Sequence, residues 1–355
     1  MHIAVICLTP AKDANGYSRH MHGNEARQAL GLAEFLARKH DSTLICSKKS
    51  DLARLAPMAG LRCLFTGSPL DSIRIWNWQR RHKAMRIIAV GPESPGLARR
   101  LKLLGKTRQM DCLFLLEAPV SMRPALLYHA DHVVCGSSHI AEKIRDLPFG
   151  PDKHRPDVSI AAPGIDLAGY KKGSQWHRGE RLILGMANSL MPESGALLVI
   201  RSMAALWQGL ADWEVRMFGS GPRYDEIMEE AEKMGVLPRL AILGDQPLNE
   251  AAGQCHIWLA PGASVSEPPQ TLWAGFGAGI PVICSKSALH EERVFNPKAA
   301  LMVDSDNPQE LAAGILRITQ EREQREELAE SGFALRPLIN LEGMAERVCQ
   351  TLELA

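Results

Sequence analysis

The chain lacks any apolar run approaching the roughly 18 to 20 residues that a membrane span needs. Its opening, MHIAVICLTP, has neither the basic flank nor the cleavage site of a secretory signal. Both absences make the cytoplasm the expected location. Charge of one sign is missing too: 41 Lys and Arg against 40 Asp and Glu leave a net +1. No global field draws such a chain onto nucleic acid, so any anion site must be local. The eight cysteines form no CxxC pair and sit mostly in apolar runs such as VVCGS and PVICS, as buried reduced thiols do. The histidines show no HExxH or paired-ligand spacing, so no metal and no other cofactor is expected.

What is there is 355 residues, 46% hydrophobic and 23% charged, a length and composition that suit two globular domains. His2 to Leu8 is a continuous β-branched run, as in a strand buried on both faces of a parallel sheet. A Gly-, Asn- and Ser-rich loop follows, then apolar residues at helical spacing from Glu25 to Lys39, then the strand STLIC. The alternation continues through RIIAVG, a helix near Pro95 to Leu104, DCLFLLEA, a helix near Arg123 to His129, HVVCGS and a helix from Ser138 to Arg145. Polar stretches at 147–156 and 171–181 bracket VSIAAPGID and mark a domain boundary. A second series runs from RLILGMA through EVRMFGSG, RLAILG and IWLAPG to PVICS, with a helix over Gln270 to Gly277 before the last. The expected fold class is therefore α/β, with two Rossmann-like domains of parallel sheets at 1–165 and 166–335. Residues 336–355 are expected to form a C-terminal helix packing back toward the N-terminal domain. No GxGxxG fingerprint follows the first strand, which points away from a dehydrogenase.

Five segments come in order at domain-compatible spacing: AAPGID at 161–166, FGSGP at 218–222, ILGD at 242–245, APGASVSEPPQ at 260–270 and GAGIPVICS at 277–285. Together they resemble the family 4 (group 1) retaining glycosyltransferases of the GT-B fold. ADHVVCGSSHIAEKIRD and the helix start at Gly23 to Arg27 extend the resemblance, more loosely, into the first half. The resemblance implies an acceptor-side N-terminal domain and a nucleotide-sugar C-terminal domain flanking an interdomain cleft. It implies transfer of a sugar, with retention, from a nucleoside diphosphate-sugar to a saccharide, lipid or other acceptor, as in polysaccharide biosynthesis. The implied partners are that donor and a glycan or lipid-linked acceptor.

Without a metal, helix N-termini and backbone N–H groups must meet the diphosphate. Gln270 and Thr271, entered through Pro268 and Pro269, open a helix suited to this, although an ordinary capped helix would read the same way. The resemblance sets Glu267 at the sugar or reacting centre, a position where a carboxylate also suits the helix N-terminus. It sets Gly23 and Asn24 at the phosphates. Gly219 and Gly221 allow a tight turn at a strand end, either for the donor or for structure alone. Three positions depart from the family. Ala274 stands where a second glutamate is usual, and Ser189 and Ser194 stand where an Arg and a Lys clamp the diphosphate. Each lost charge-assisted hydrogen bond is worth about 1.5 to 3 kcal/mol. Glu117, at a strand end, stands where the family carries a His or Asp; it is a catalytic candidate or a partner for Arg123. Glu93 is a similar candidate, and Arg19, His20, His22, Arg223 and Lys286 are cations that restore charge or merely face solvent. RIWNWQRRH at 74–82 reads as Trp76 and Trp78 packed with wet Arg80, Arg81 and His82, or as an acceptor or peripheral membrane-contact patch. The departures leave a non-catalytic GT-B binding or partner subunit as the alternative, and a nucleotide-sugar epimerase of the same shape as a third reading.

Overall fold

The computed structural model describes residues 1–8, 25–48, 52–66, 69–82, 86–91, 94–105, 109–114, 125, 127–151, 153–173, 175–187, 190–192, 194–206, 210–262, 269–304 and 306–354. The chain divides into two compact units. The first runs up to Asp166 and resumes at Ile339; the second comprises Leu167–Leu338.

The first unit holds seven parallel strands: β1 (His2–Cys7), β2 (Asp41–Ser47), β3 (Cys63–Thr66), β4 (Arg86–Val90), β5 (Gln109–Phe114), β6 (His132–Cys135) and β7 (Asp157–Ile160). Their order is β3-β2-β1-β4-β5-β6-β7. Helices α1 (Glu25–Lys39), α2 (Leu52–Met58), α3 (Pro69–His82), α4 (Pro95–Gly105) and α5 (Ser138–Arg145) lie in the connections. Ile3 to Cys7 are wholly buried because both faces of β1 are covered. Ile3, Val5 and Cys7 share a core with Leu32 and Leu36 of α1, whereas Ala4 and Ile6 share one with Trp78 of α3, Leu101 of α4 and Ile144 of α5. This is the two-sided burial that makes parallel strands continuous in apolar sequence. A charge pair is buried between β4 and β5: Arg86 Nε donates to Asp111 Oδ2 at 2.7 Å and Nη2 to Oδ1 at 3.3 Å.

The second unit holds β8 (Leu182–Ala187), β9 (Trp213–Phe218), β10 (Leu240–Ile242), β11 (Ile257–Ala260), β12 (Val282–Ser285) and β13 (Leu301–Val303), ordered β10-β9-β8-β11-β12-β13 and all parallel. Its helices are α6 (Ala196–Leu206), α7 (Tyr224–Lys233), α8 (Leu248–Gly253), α9 (Pro269–Ala278), α10 (Ala288–Val294), α11 (Pro308–Gln320), α12 (Arg322–Phe333) and α13 (Arg336–Ile339). The strand order reverses between β8 and β11, which makes their carboxyl ends a topological switch point.

The last helix, α14 (Leu341–Thr351), belongs to the first unit, where Met344, Ala345 and Val348 join the core of α1 and β1. The AAPGID segment is docked on the same layer. The Gln28 carboxamide accepts from Gly164 N at 2.9 Å and donates to Gly164 O, and Arg347 Nη2 donates to the carbonyls of Ala162 and Pro163. Gly164 has no room for a side chain, since a Cβ there would lie 2.6 Å from Asn340 O.

Three elements differ from expectation, the first being the tail, where 336–355 carries two helices, α13 and α14, rather than one. Within the helix expected over Arg123 to His129, Leu127 to His129 form a turn; residues 123, 124 and 126 lie outside the described set. The Trp-rich stretch is helical, as part of α3. Trp78 is 7% exposed, but Trp76 is 36% exposed under the Arg80 guanidinium, 4.7 Å from its ring centroid. Only one of the two tryptophans is core.

Candidate functional site

At the carboxyl ends of the second sheet, backbone contacts join the loops that carry several of the expected residues. Past β9, Gly219 has φ 153°, a conformation that suits glycine. Ser220 O then accepts from Leu190 N at 3.2 Å, and Leu190 O accepts from Arg223 N at 3.1 Å. A Cβ on Gly221 would stand 2.7 Å from Leu190 N and O, so the GSGP turn and the loop after β8 touch backbone to backbone. Ser220 Oγ lies 3.3 Å from both carboxylate oxygens of Asp245, the last residue of ILGD.

The loop after β8 continues to Ser194, which is 8% exposed. Its N–H donates to Met191 O at 3.1 Å and its Oγ accepts from Ala196 N at 3.4 Å, turning the chain into α6. Gly195, at φ 72°, lies against the end of β11, where an added Cβ would be 2.6 Å from Pro261 C and O. Pro261 O in turn accepts from Ser285 Oγ at the end of β12. The ends of β8, β9, β11 and β12 are thus linked through Leu190, Gly195 and Pro261.

Gln270 and Thr271 occupy the first turn of α9, both nearly inaccessible at 1% and 2%. Thr271 O accepts from the Trp258 indole of β11, which fixes the helix start against the sheet. Ala274 is wholly buried in the same helix. Arg223 is a cation that reaches this region: Nη1 lies 3.5 Å from Pro192 O, in the same loop as Ser194, and Nε pairs with Glu226 at 3.0 Å. Lys286 is exposed, and its backbone N–H donates to Val303 O. Gly23, Asn24, Glu93, Glu117, Ser189 and Glu267 lie outside the described residues, as do Arg19, His20 and His22.

His290 was not anticipated from the sequence. Ser287 caps α10 by accepting from His290 N, and His290 Nδ1 lies 2.7 Å from Ser285 O. A carbonyl only accepts, so the neutral ring carries its proton on Nδ1. Burial pushes its pKa down to about 4, the carbonyl hydrogen bond opposes this, and the Arg293 charge depresses it further. The S-x-x-H spacing signals the cap, but not the contact with a neighbouring strand end.

Comparison with known proteins finds a likeness for the unit that carries this arrangement. Residues 171–334 match the family model of the glycosyl transferases group 1. The group 1 match thus falls on the unit with the linked strand ends. D-inositol 3-phosphate glycosyltransferase of Corynebacterium urealyticum is 23% identical over an alignment of 208 residues that covers 53% of this chain and 49% of that protein. The chain therefore spans about half the length of this relative. Among solved structures, HepE of Anabaena in complex with UDP has a TM-score of 0.76 at 13% identity, with both chains fully covered. A glycosyltransferase from Rickettsia africae has a TM-score of 0.74 at 13% identity, covering 99% of this chain and 97% of that one. These likenesses establish the GT-B fold of two Rossmann-like domains. Among the described residues no helix is long and apolar enough to cross a membrane.

Proposed function

We propose that the chain is a retaining glycosyltransferase that moves a sugar from a nucleoside diphosphate-sugar to a saccharide, lipid or other acceptor, acting in the cytoplasm without a metal cofactor. The observation that carries this reading is the coincidence of the group 1 match, at 171–334, with a sheet whose switch-point strand ends are joined by glycine-mediated backbone contacts. Those contacts, with Leu190 against Gly221 and Pro261 against Gly195, fix the loops at the switch point, the place where open sheets of this kind bind their ligands. The solved complex of HepE with UDP supports a uridine nucleotide as the donor type.

In this scheme Gly219, Gln270 and Thr271 hold the donor from the second domain, Gly23 and Asn24 approach the phosphates from the first, and Ser189 and Ser194 occupy the positions of the lost cations. Arg223 supplies positive charge to that loop, with Glu226 balancing one side of its guanidinium. Glu267 faces the sugar and Glu117 lies on the acceptor side. Ile73, Trp76 and Arg80, exposed on α3, form the surface that would meet a membrane bearing a lipid-linked acceptor.

Calorimetric titration with UDP, GDP, ADP and CMP tests the reading. One nucleotide is expected to bind at micromolar concentration, and Arg223→Ala to weaken it about tenfold, the equivalent of about 1.4 kcal/mol. Glu117→Ala and Glu267→Ala should abolish slow donor hydrolysis while the nucleotide still binds. No binding by any of the four would favour the non-catalytic subunit instead.

A further inference from the structure

At the amino ends of strands of the first sheet, away from the carboxyl ends where ligands of such sheets bind, three side chains of types that can ligate a metal converge. β1 begins with His2 and β2 with Asp41, and the parallel register makes them direct partners. His2 Nδ1 and Asp41 Oδ2 are 2.6 Å apart. α3 ends beside them at His82, whose ring centroid is 5.2 Å from that of His2. One ligand atom from each residue lies within 4.8 Å of the other two. Nothing in the spacing of residues 2, 41 and 82 signals this grouping; the fold creates it.

The surroundings suit a metal. A Zn2+ ion takes imidazole nitrogen and carboxylate oxygen at about 2.0 to 2.2 Å, so its ligand atoms stand roughly 3.3 Å apart. His82, exposed at a helix end, can close that distance by rotating its side chain, whereas His2 is held in place at 9% exposure. Metal on His2 Nδ1 requires the proton on Nε2, and the buried Thr43 Oγ1 is 3.3 Å from that nitrogen, placed to accept it. An outer partner of this kind orients metal-bound histidines generally. Arg62 donates to Asp41 Oδ1 at 2.8 Å and leaves Oδ2 facing the imidazole. Trp78, 5.2 Å from the His2 ring and 5.5 Å from that of His82, backs both rings with an apolar surface.

We propose that His2, Asp41 and His82 bind one divalent first-row transition metal ion of the Zn2+ class, with its remaining coordination positions open to water. Two imidazoles and one carboxylate select such ions over Mg2+ and Ca2+, which prefer all-oxygen shells. The ion would join β1, β2 and the end of α3 at the amino ends of the strands, on the side of the sheet opposite to their carboxyl ends.

Calorimetric titration of the full, tag-free chain with Zn2+ tests this, using His82→Ala and Asp41→Asn as probes and His154→Ala as an exposed control. The wild type is expected to show one saturable site in the micromolar range, weakened at least tenfold in both probes and unchanged in the control, with no heat from Mg2+. Both probe positions are solvent-exposed, so the variants should fold, and a retained unfolding midpoint without metal verifies it. Absence of saturable Zn2+ binding, or wild-type affinity in both His82→Ala and Asp41→Asn, would overturn the proposal.

Discussion

Protonating His290 places a charge in a site from which water is excluded, beside the Arg293 cation. Its ring stays neutral in the folded chain down to about pH 4, whereas in the unfolded chain it takes up a proton near the ordinary value of 6.5. Between those values the unfolded chain holds the extra proton, so stability is fully present above about 6.5 and declines as pH falls. By pH 5 this residue alone should have cost about 2 kcal/mol. Urea unfolding from pH 7 to 5 should therefore show a falling midpoint, and His290→Gln should flatten the slope. His129 and His256, both pushed down by burial, should supply a remainder. Gly195 gives a second test at this scale. Gly195→Ala sets a Cβ 2.6 Å from the Pro261 backbone at a φ of 72°, and should destabilise by at least about 2 kcal/mol.

Among elements, the β4–β5 pair is tied by a buried ion pair. Burial pushes the Asp111 carboxyl up, and the Arg86 guanidinium pulls it back. Asp111→Ala leaves that guanidinium without its carboxylate in the core and should cost about 3 to 5 kcal/mol in denaturant unfolding. The double variant Arg86→Met, Asp111→Leu should recover most of the loss. Strands such as β1, β4 and β8 were legible because burial on both faces makes their sequences continuously apolar. α3 was not, because its outward side carries Ile73 and Trp76 and blurs the helical pattern, and α2 is short with Pro57 inside it. The candidate site was legible at its glycines and at the start of α9, where a local turn or helix entry writes itself into the sequence. The links among Leu190, Pro261, Ser285 and His290 were not, because each joins segments that only the sheet brings side by side.

For the whole molecule, the second unit is an insertion: the chain leaves the first unit after Asp166 and returns at Ile339. Removing residues 339–355 should uncover Ala29, Leu32 and Leu36 of α1 where Met344 and Val348 pack with them. Such a truncation is expected to bind a hydrophobic dye and to lose the cooperative unfolding of the first unit, while the unfolding of the second persists in calorimetry. The same connectivity has a consequence for biosynthesis. A ribosome delivers the whole of Leu167–Leu338 before it delivers α14, so the inserted unit can fold while the one that began first is still missing a helix. Until those last residues emerge, the earliest-made part of the chain is the last to close, and it is the part that needs protection from aggregation.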